Sequence, residues 1–220
     1  EGDGPALDVG VGTGRTLIPL LRTGLAIDGL DASADMLAVC RTKLDAEGLK
    51  SNLYEQLMQD IEVAKRYATI FIPYSSFLLV PERHDAQRAL RRFYDHLVPG
   101  GQLLLESFLR TDYDSATDAG QWVLARVGTR PSDGARVYVS RSAWHDHVEQ
   151  MERVFWRHEV FKDNVLVECR NQEIGLRFYG RDELARMIEE AGFTVREIYG
   201  DHLREIVRDG NKVMVVHAQR

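Results

Sequence analysis

The stretch Ala6-Leu-Asp-Val-Gly-Val-Gly-Thr-Gly-Arg15 decides the fold. Residues 6–10 suit a buried strand, Gly10, Gly12 and Gly14 alternate from its end, and the stretch 13–24 reads as a helix. A strand, a glycine loop and a helix start form a general device for holding a nucleotide-like ligand, because backbone N–H groups turn towards it and no Cβ stands in the way. The dinucleotide version has the spacing G-x-G-x-x-G; here Gly10, Gly12 and Gly14 bring the third glycine one position early. Asp8 precedes the loop inside the strand. A carboxylate there is awkward for a pyrophosphate and suits a cationic group such as an amino-acid ammonium. The same carboxylate also reads as a buried acid that ties the loop together.

Outward from this stretch, strands and helices alternate. Strands are expected at 6–10, 25–31, 52–58, 67–74 and 102–109, and helices at 13–24, 33–48 and 81–97, with only a short or absent helix between the third and fourth strands. Pro19 should kink the first helix or make its first turn irregular. Ser33 reads as the N-cap of the second helix and Gly48 as its stop. Pro99-Gly100-Gly101 reads as a tight turn before the fifth strand. The pattern resumes with a helix at 180–193 and strands at 194–200 and 212–219. The fold class is therefore α/β: a doubly wound, mostly parallel seven-stranded sheet. Residues 111–178 differ in texture. They hold three alternating stretches, at 134–144, 150–161 and 165–179, joined by turns at 145–150 and 162–164. The reading is a core at 1–110 and 179–220, with an antiparallel β insert at 111–178 after the fifth strand.

Composition bounds the function. The chain has 220 residues, 44% hydrophobic and 28% charged, with a net charge of −6, an ordinary soluble mixture without the basic excess of a nucleic-acid binder. The two cysteines, Cys40 and Cys169, show no disulfide or metal spacing, so a cytoplasmic protein is expected. No apolar run reaches membrane-spanning length.

Five segments in order resemble the class I S-adenosylmethionine-dependent methyltransferases. They are LDVGVGTGR with GLDASADML, then MQDIE, FIPYSSFLLV and LVPGGQLLLESF, and the closing LARMIEEAGFTVREIYGD is similar to small-molecule members of that family. The resemblance covers roughly 6–110 and 179–219. It implies S-adenosylmethionine as cofactor, S-adenosylhomocysteine as product and in-line transfer of a methyl group to a nitrogen or oxygen. The implied cofactor residues are Asp8, Gly10, Gly12, Gly14, Asp31, Ala32, Met36, Asp60, Ile61 and Pro73. Asp31 would take two ribose hydroxyls, or only cap the following helix. Met36 would lie against the adenine edge, or be plain core. Asp60 would accept from the adenine amino group beside an amide and apolar wall from Ile61, or be a solvated loop acid. Arg15 is expected to pair with a nearby acid.

Pro73, Tyr74, Ser75 and Ser76 end the fourth strand, where the working crevice of an open α/β sheet lies. They lack the Asn/Asp-Pro-Pro-Tyr pattern of methyltransferases that act on nucleobase or glutamine nitrogens. Tyr74 and Glu106 are the weak catalytic candidates, with Ser107 beside Glu106. The insert holds Trp122, Trp144 and Trp156 with Tyr113, Tyr138 and Tyr179, which suit a small core, a homodimer surface or a roof over the substrate. His145, His147 and His158 do not complete a metal-ligand set. The expected partner is a small molecule, without membrane or nucleic acid. An RNA or protein methyltransferase and a non-catalytic cofactor-binding protein are the alternatives. The family's helical segment ahead of the first glycine motif is missing or almost missing from this sequence, which is expected to leave part of the pocket unaccounted for.

Overall fold

The computed structural model describes residues 4–109, 120–208 and 210–220. They fall into two compact units, one of Glu1–Thr111 with Tyr179–Arg220 and the other of Asp112–Phe178.

The first unit is built on a seven-stranded sheet. Its strands are β1 (Ala6–Val9), β2 (Ile27–Asp31), β3 (Leu53–Glu55), β4 (Tyr67–Ile72), β5 (Leu97–Phe108), β10 (Thr194–Tyr199) and β11 (Val213–Gln219). Their order across the sheet is β10-β11-β5-β4-β1-β2-β3. All pairs are parallel except those of β11, which runs antiparallel to both β5 and β10. Among the described residues, four α-helices serve this unit: α1 (Leu17–Arg22), α2 (Ala34–Glu47), α3 (Arg83–His96) and α4 (Arg181–Glu190). In α3 the buried Ala86, Ala89, Leu90 and Phe93 recur at helical spacing, so one stripe is apolar while the rest stays polar. On the other helices' side, Leu17, Ile18, Leu37, Cys40 and Leu44 pack into one core with Ala6, Val11 and Ile27.

Three local expectations change. The first helix begins at Leu17 rather than at 13, because Gly12 and Gly14 sit at φ +52° and +82°, outside the helical region. Pro19 then falls in the first turn, where its missing N–H costs nothing. Pro99-Gly100-Gly101 is not a turn ahead of β5 but a bulge inside it: Tyr67 pairs with Leu97 and Thr69 already with Gln102, and Gly100 takes φ +78° to absorb the extra residues. Ser33 does cap α2, accepting from the Met36 amide at 3.3 Å, and Gly48 closes it in the left-handed conformation.

The insert has four strands where the alternation reads as three: β6 (Val123–Thr129), β7 (Arg136–Asp146), β8 (Met151–Lys162) and β9 (Val165–Arg177), antiparallel in that order. The unread strand β6 is exposed at every position, so no buried face marks it in the sequence. Among the described residues, no helix is long and apolar enough to cross a membrane.

At the amino ends of the strands, Asp28 is buried and accepts from Lys65 Nζ at 2.8 Å, the Tyr67 hydroxyl at 3.0 Å and the Asn52 side chain at 3.0 Å. Burial, with Tyr54 and Asp28 nearby, drives the Tyr67 phenol far above its usual range, so it serves only as a donor. Ligands bind at the opposite, carboxyl edge of such sheets, so this network holds the fold. Replacing Asp28 with alanine strands these donors and should cost about 3 kcal/mol in urea unfolding, while cofactor affinity per folded molecule stays unchanged.

Candidate active site

The carboxyl ends of β1, β2 and β4 meet around the glycine loop. Each loop glycine is there for a different reason. A Cβ on Gly10 would fall 2.6 Å from Ser76 Oγ, and one on Gly14 would fall 2.8 Å from Cys40 Sγ and 2.9 Å from Ile18 Cδ1. Those two are demanded by packing inside the protein. Gly12 differs: a Cβ there meets only Asp31 Oδ2 and the Gly10 carbonyl, both at 4.0 Å, so its surface is left open for a ligand. Alanine at Gly10 combines a positive φ with a clash against the Ser76 side chain, and both binding of S-adenosylhomocysteine and the melting temperature should fall together.

Asp31 organises the loop. Its Oδ2 accepts from the Gly12 amide at 2.7 Å and its Oδ1 from the Ser33 amide at 2.9 Å. A carboxylate has about four lone-pair sites, so two such bonds leave capacity for a diol. Its role in shaping the turn into α2 and its availability to a ribose therefore coexist.

Asp8 is the unusual group. It is 1% exposed, and neither carboxylate oxygen has a hydrogen-bond partner among the described residues. Burial and, after it, the charge of Asp31 raise its pKa to about 7, while the Leu17 amide acts in the other direction. An orphaned buried acid costs stability unless something else uses it. An ammonium placed beside it would restore its charge and its hydrogen bonds, and S-adenosylmethionine carries one. The donor set thus fits this cofactor: open backbone at Gly12, spare acceptors on Asp31 and an uncompensated acid at Asp8.

The remaining predicted residues divide. Met36 lies in the first turn of α2 and is half exposed rather than core, free to face an adenine. Ile61 is fully buried. Asp60 sits in a single 3-10 turn, Met58–Asp60, and pairs with Arg88 at 3.2 Å, a partner 28 residues away that the sequence does not reveal. Ala32 falls between Asp31 and the N-cap of α2. Pro73 follows β4, and its carbonyl accepts from Ser76 at 2.9 Å through Oγ.

Tyr74 and Ser75 both take positive φ, at 53° and 58°, and neither is glycine. Each costs of order 1–3 kcal/mol, and such strain concentrates where a site needs it. Tyr74 is exposed, and the Arg15 guanidinium lies 4.6 Å from its ring centroid. Arg15 thus stacks on an aromatic ring instead of pairing with an acid, because Tyr74 is turned outwards by its backbone. Ser75 Oγ is buried with no partner among the described residues. Glu106 and Ser107 separate by strand alternation: Glu106 lines a groove, while Ser107 is fully buried on the opposite face and offers nothing to a ligand.

That groove has a volume of about 380 Å³ and runs over the face of β4, β5 and β11, walled by Phe71, Ile72, Pro73 and Leu104. Glu106 and His202 stand in it, with His202 Nε2 2.9 Å from Glu106 Oε2.

The insert carries a cavity of its own, about 540 Å³, lined by Tyr138, Phe161, Arg136, Lys162 and Glu159. Tyr138 meets Phe161 edge-on at 5.3 Å. Trp122 lies under the Arg157 guanidinium at 4.2 Å, and Trp144 is exposed. Tyr179 belongs to the first unit, tilted against Phe77 at 5.7 Å, and not to the insert. His145 is buried on β7, 3.7 Å from Glu152, which also pairs with Arg141 at 2.6 Å. His147 stacks on His145 at 6.5 Å, and His158 is on β8. Tyr113 lies outside the described residues.

Known proteins converge on the same reading. A family model described as a methyltransferase domain matches residues 6–101. The chain is 31% identical over 203 residues to a dTDP-3-amino-3,6-dideoxy-alpha-D-glucopyranose N,N-dimethyltransferase of Streptomyces fradiae, covering 88% of this chain and 71% of that protein. It is 25% identical over 215 residues to a glycine/sarcosine N-methyltransferase of Halorhodospira halochloris, covering 96% of this chain and 73% of that one. Among solved structures, an S-adenosylmethionine-dependent methyltransferase from Clostridium acetobutylicum superposes with a TM-score of 0.83 at 14% identity, covering 98% of this chain and 83% of that one. The CcbJ methyltransferase of Streptomyces caelestis gives 0.81 at 21% identity, over 98% and 82%.

Proposed function

The chain belongs to the class I S-adenosylmethionine-dependent methyltransferases, and on that premise we propose that it methylates an amine nitrogen of a small-molecule acceptor. The observation that carries this reading is the groove over the face of β1, β4 and β5, which runs from Ala6 and Thr69 to Pro73 and Glu106 at the carboxyl ends of β4 and β5. Its volume of about 380 Å³ and its mostly apolar wall with a few polar groups suit one small molecule. Two relatives, at 31% and 29% identity, are named for methylating the amino group of dTDP-linked amino sugars, which supports nitrogen over oxygen and an amino sugar as the first class to try.

The cofactor supplies a methyl group on a sulfonium, open to in-line displacement. The protein's part is alignment and electrostatics, worth several kcal/mol of barrier. Gly10, Gly12 and Gly14 shape the loop. Asp8 faces the ammonium and Asp31 the ribose. Asp60 and Ile61, with Met36 and Ala32, take the adenine. Pro73 and the strained Tyr74 border the reacting end, with Glu106 on the acceptor side. The insert is assigned to a homodimer. Its two edge strands, β6 with the exposed Leu124 and Val127 and β9 with the exposed Val165 and Leu166, are open to pairing with a second copy of the chain. Two unpaired cysteines fit a cytoplasmic setting.

The test is a panel of acceptors with S-adenosylmethionine, read by mass spectrometry. The panel holds dTDP-3-amino sugars, their hydroxyl counterparts, small amino acids, an RNA and a peptide mixture. A gain of one or two methyl groups on an amino sugar alone supports the reading. Methylation of RNA or peptide overturns it, as does cofactor binding with no product from any member.

A further inference from the structure

Among the described residues, Glu106 and His202 are the ionisable side chains that line the groove. The sheet register fixes their place. Asp8 pairs with Phe71 and Phe71 with Leu104, while Ile72 pairs with Leu105, so Glu106 stands level with Pro73 on the neighbouring strand. Adjacent strands lie about 4.8 Å apart, which puts Glu106 two strands from the glycine loop and on the face that carries Asp8. The Glu106 side chain is only 13% exposed. His202 reaches it from the turn after β10, where residues 200–205 are tied in place. Asp201 accepts from the Leu203 amide at 2.8 Å and the Glu205 amide at 3.0 Å. The Gly200 amide donates to the Glu205 carbonyl at 2.7 Å, and Asn211 Nδ2 donates to the Gly200 carbonyl at 2.9 Å. The pair is therefore a presented arrangement at one end of an apolar wall.

A carboxylate only accepts, so in the neutral imidazole the hydrogen sits on Nε2 and points at Glu106. The lone pair is left on Nδ1. An aliphatic amine at neutral pH is an ammonium with no lone pair to attack with, and it must lose a proton first.

We propose that Glu106 and His202 are the acceptor-nitrogen site: His202 Nδ1 takes a proton from the acceptor's ammonium, and the Glu106 carboxylate holds the imidazolium so formed. The inference rests on the methyltransferase reading above. One N–H bond breaks and one Nδ1–H bond forms, and the positive charge passes from the ammonium to a ring already paired with an anion. The freed lone pair then forms the N–CH3 bond as the S–CH3 bond breaks, and that electron pair stays on sulfur. Phe71 and Leu104 hold the ring or short aliphatic body that carries the amine.

The experiment is ring-nitrogen NMR on the whole chain labelled with 15N-histidine and saturated with S-adenosylhomocysteine. His202→Gln identifies the His202 signals. Cyclohexylamine and a dTDP-3-amino-3,6-dideoxy sugar are titrated in, with cyclohexanol as the uncharged counterpart. Both amines should move the His202 signals saturably towards the imidazolium pattern, cyclohexanol should not, and Glu106→Gln should abolish the response. For any amine that is methylated, His202→Gln should lower kcat by about 100-fold or more while S-adenosylhomocysteine affinity stays within twofold. His202 signals that ignore both amines, or answer cyclohexanol equally, overturn the proposal. Failure of S-adenosylhomocysteine to bind the native chain instead refutes the methyltransferase reading itself, so the two failures are distinct.

Discussion

Asp31→Ala should bind S-adenosylhomocysteine at least 100-fold more weakly than the native chain in a calorimetric titration. Two effects combine. The side chain loses its bonds to a ribose diol, each charge-assisted and worth about 1.5–3 kcal/mol. It also releases the Gly12 amide, now held at 2.7 Å, and the Ser33 amide at 2.9 Å, so the open part of the loop loses its anchor. About 3 kcal/mol in total corresponds to roughly two orders of magnitude in affinity. Asp31→Asn keeps one acceptor oxygen and should lose less. An Asp31→Ala protein that binds within threefold of native would mean that the ribose lies elsewhere.

The second large effect belongs to Asp8, and its sign is opposite for stability and for binding. In the unfolded chain Asp8 titrates near 3.8, and in the folded protein near 7. Between those values the folded state holds a proton that the unfolded state has lost. Stability from this group is therefore complete below pH 3.8 and declines as pH rises towards 7, by about 1.4 kcal/mol per unit and on the order of 4 kcal/mol in all. Asp8→Asn removes the titration. At pH 8 the variant without cofactor should be the more stable, by about 2 kcal/mol, or roughly 5 °C in melting temperature. Cofactor binding moves the other way. The ammonium needs the ionised acid, so native affinity should rise up to tenfold per unit between pH 5.5 and 7 and then level off. In Asp8→Asn it should be flat and about tenfold weaker at pH 8. Because the charge of Asp31 helps to raise Asp8, Asp31→Ala should also shift the midpoint of the native pH profile downwards. A native profile that is flat from 5.5 to 8 would place the ammonium away from Asp8.

The strand–glycine–helix start and the order of the core strands were legible because both rest on local signals: apolar runs of strand length, helical spacing, glycines and caps. Asp8 was legible too, since an acid in front of a glycine loop needs a reason. Other features rest on distance and could not be read. Strand β6 shows no buried face and exists because β7 pairs with it. The partnership of Asp60 with Arg88 depends on how α3 lies against the turn after β3. Glu106 and His202 are 96 residues apart and meet only because β11 returns antiparallel beside β5. The three loop glycines differ in their physical reason, which depends on contacts the sequence does not show. Gly10 and Gly14 answer to Ser76, Cys40 and Ile18, and Gly12 alone leaves open backbone.

The central claim is that this loop, with Asp8 and Asp31, holds S-adenosylmethionine. Its most direct test is thermal unfolding with S-adenosylhomocysteine, with NAD as the comparison, at about 100 times the dissociation constant. Linkage then predicts about 2.7 kcal/mol of stabilisation, or roughly 5–10 °C for a chain of this size, with S-adenosylhomocysteine only and lost in Asp31→Ala. A shift with NAD and none with S-adenosylhomocysteine would contradict the account.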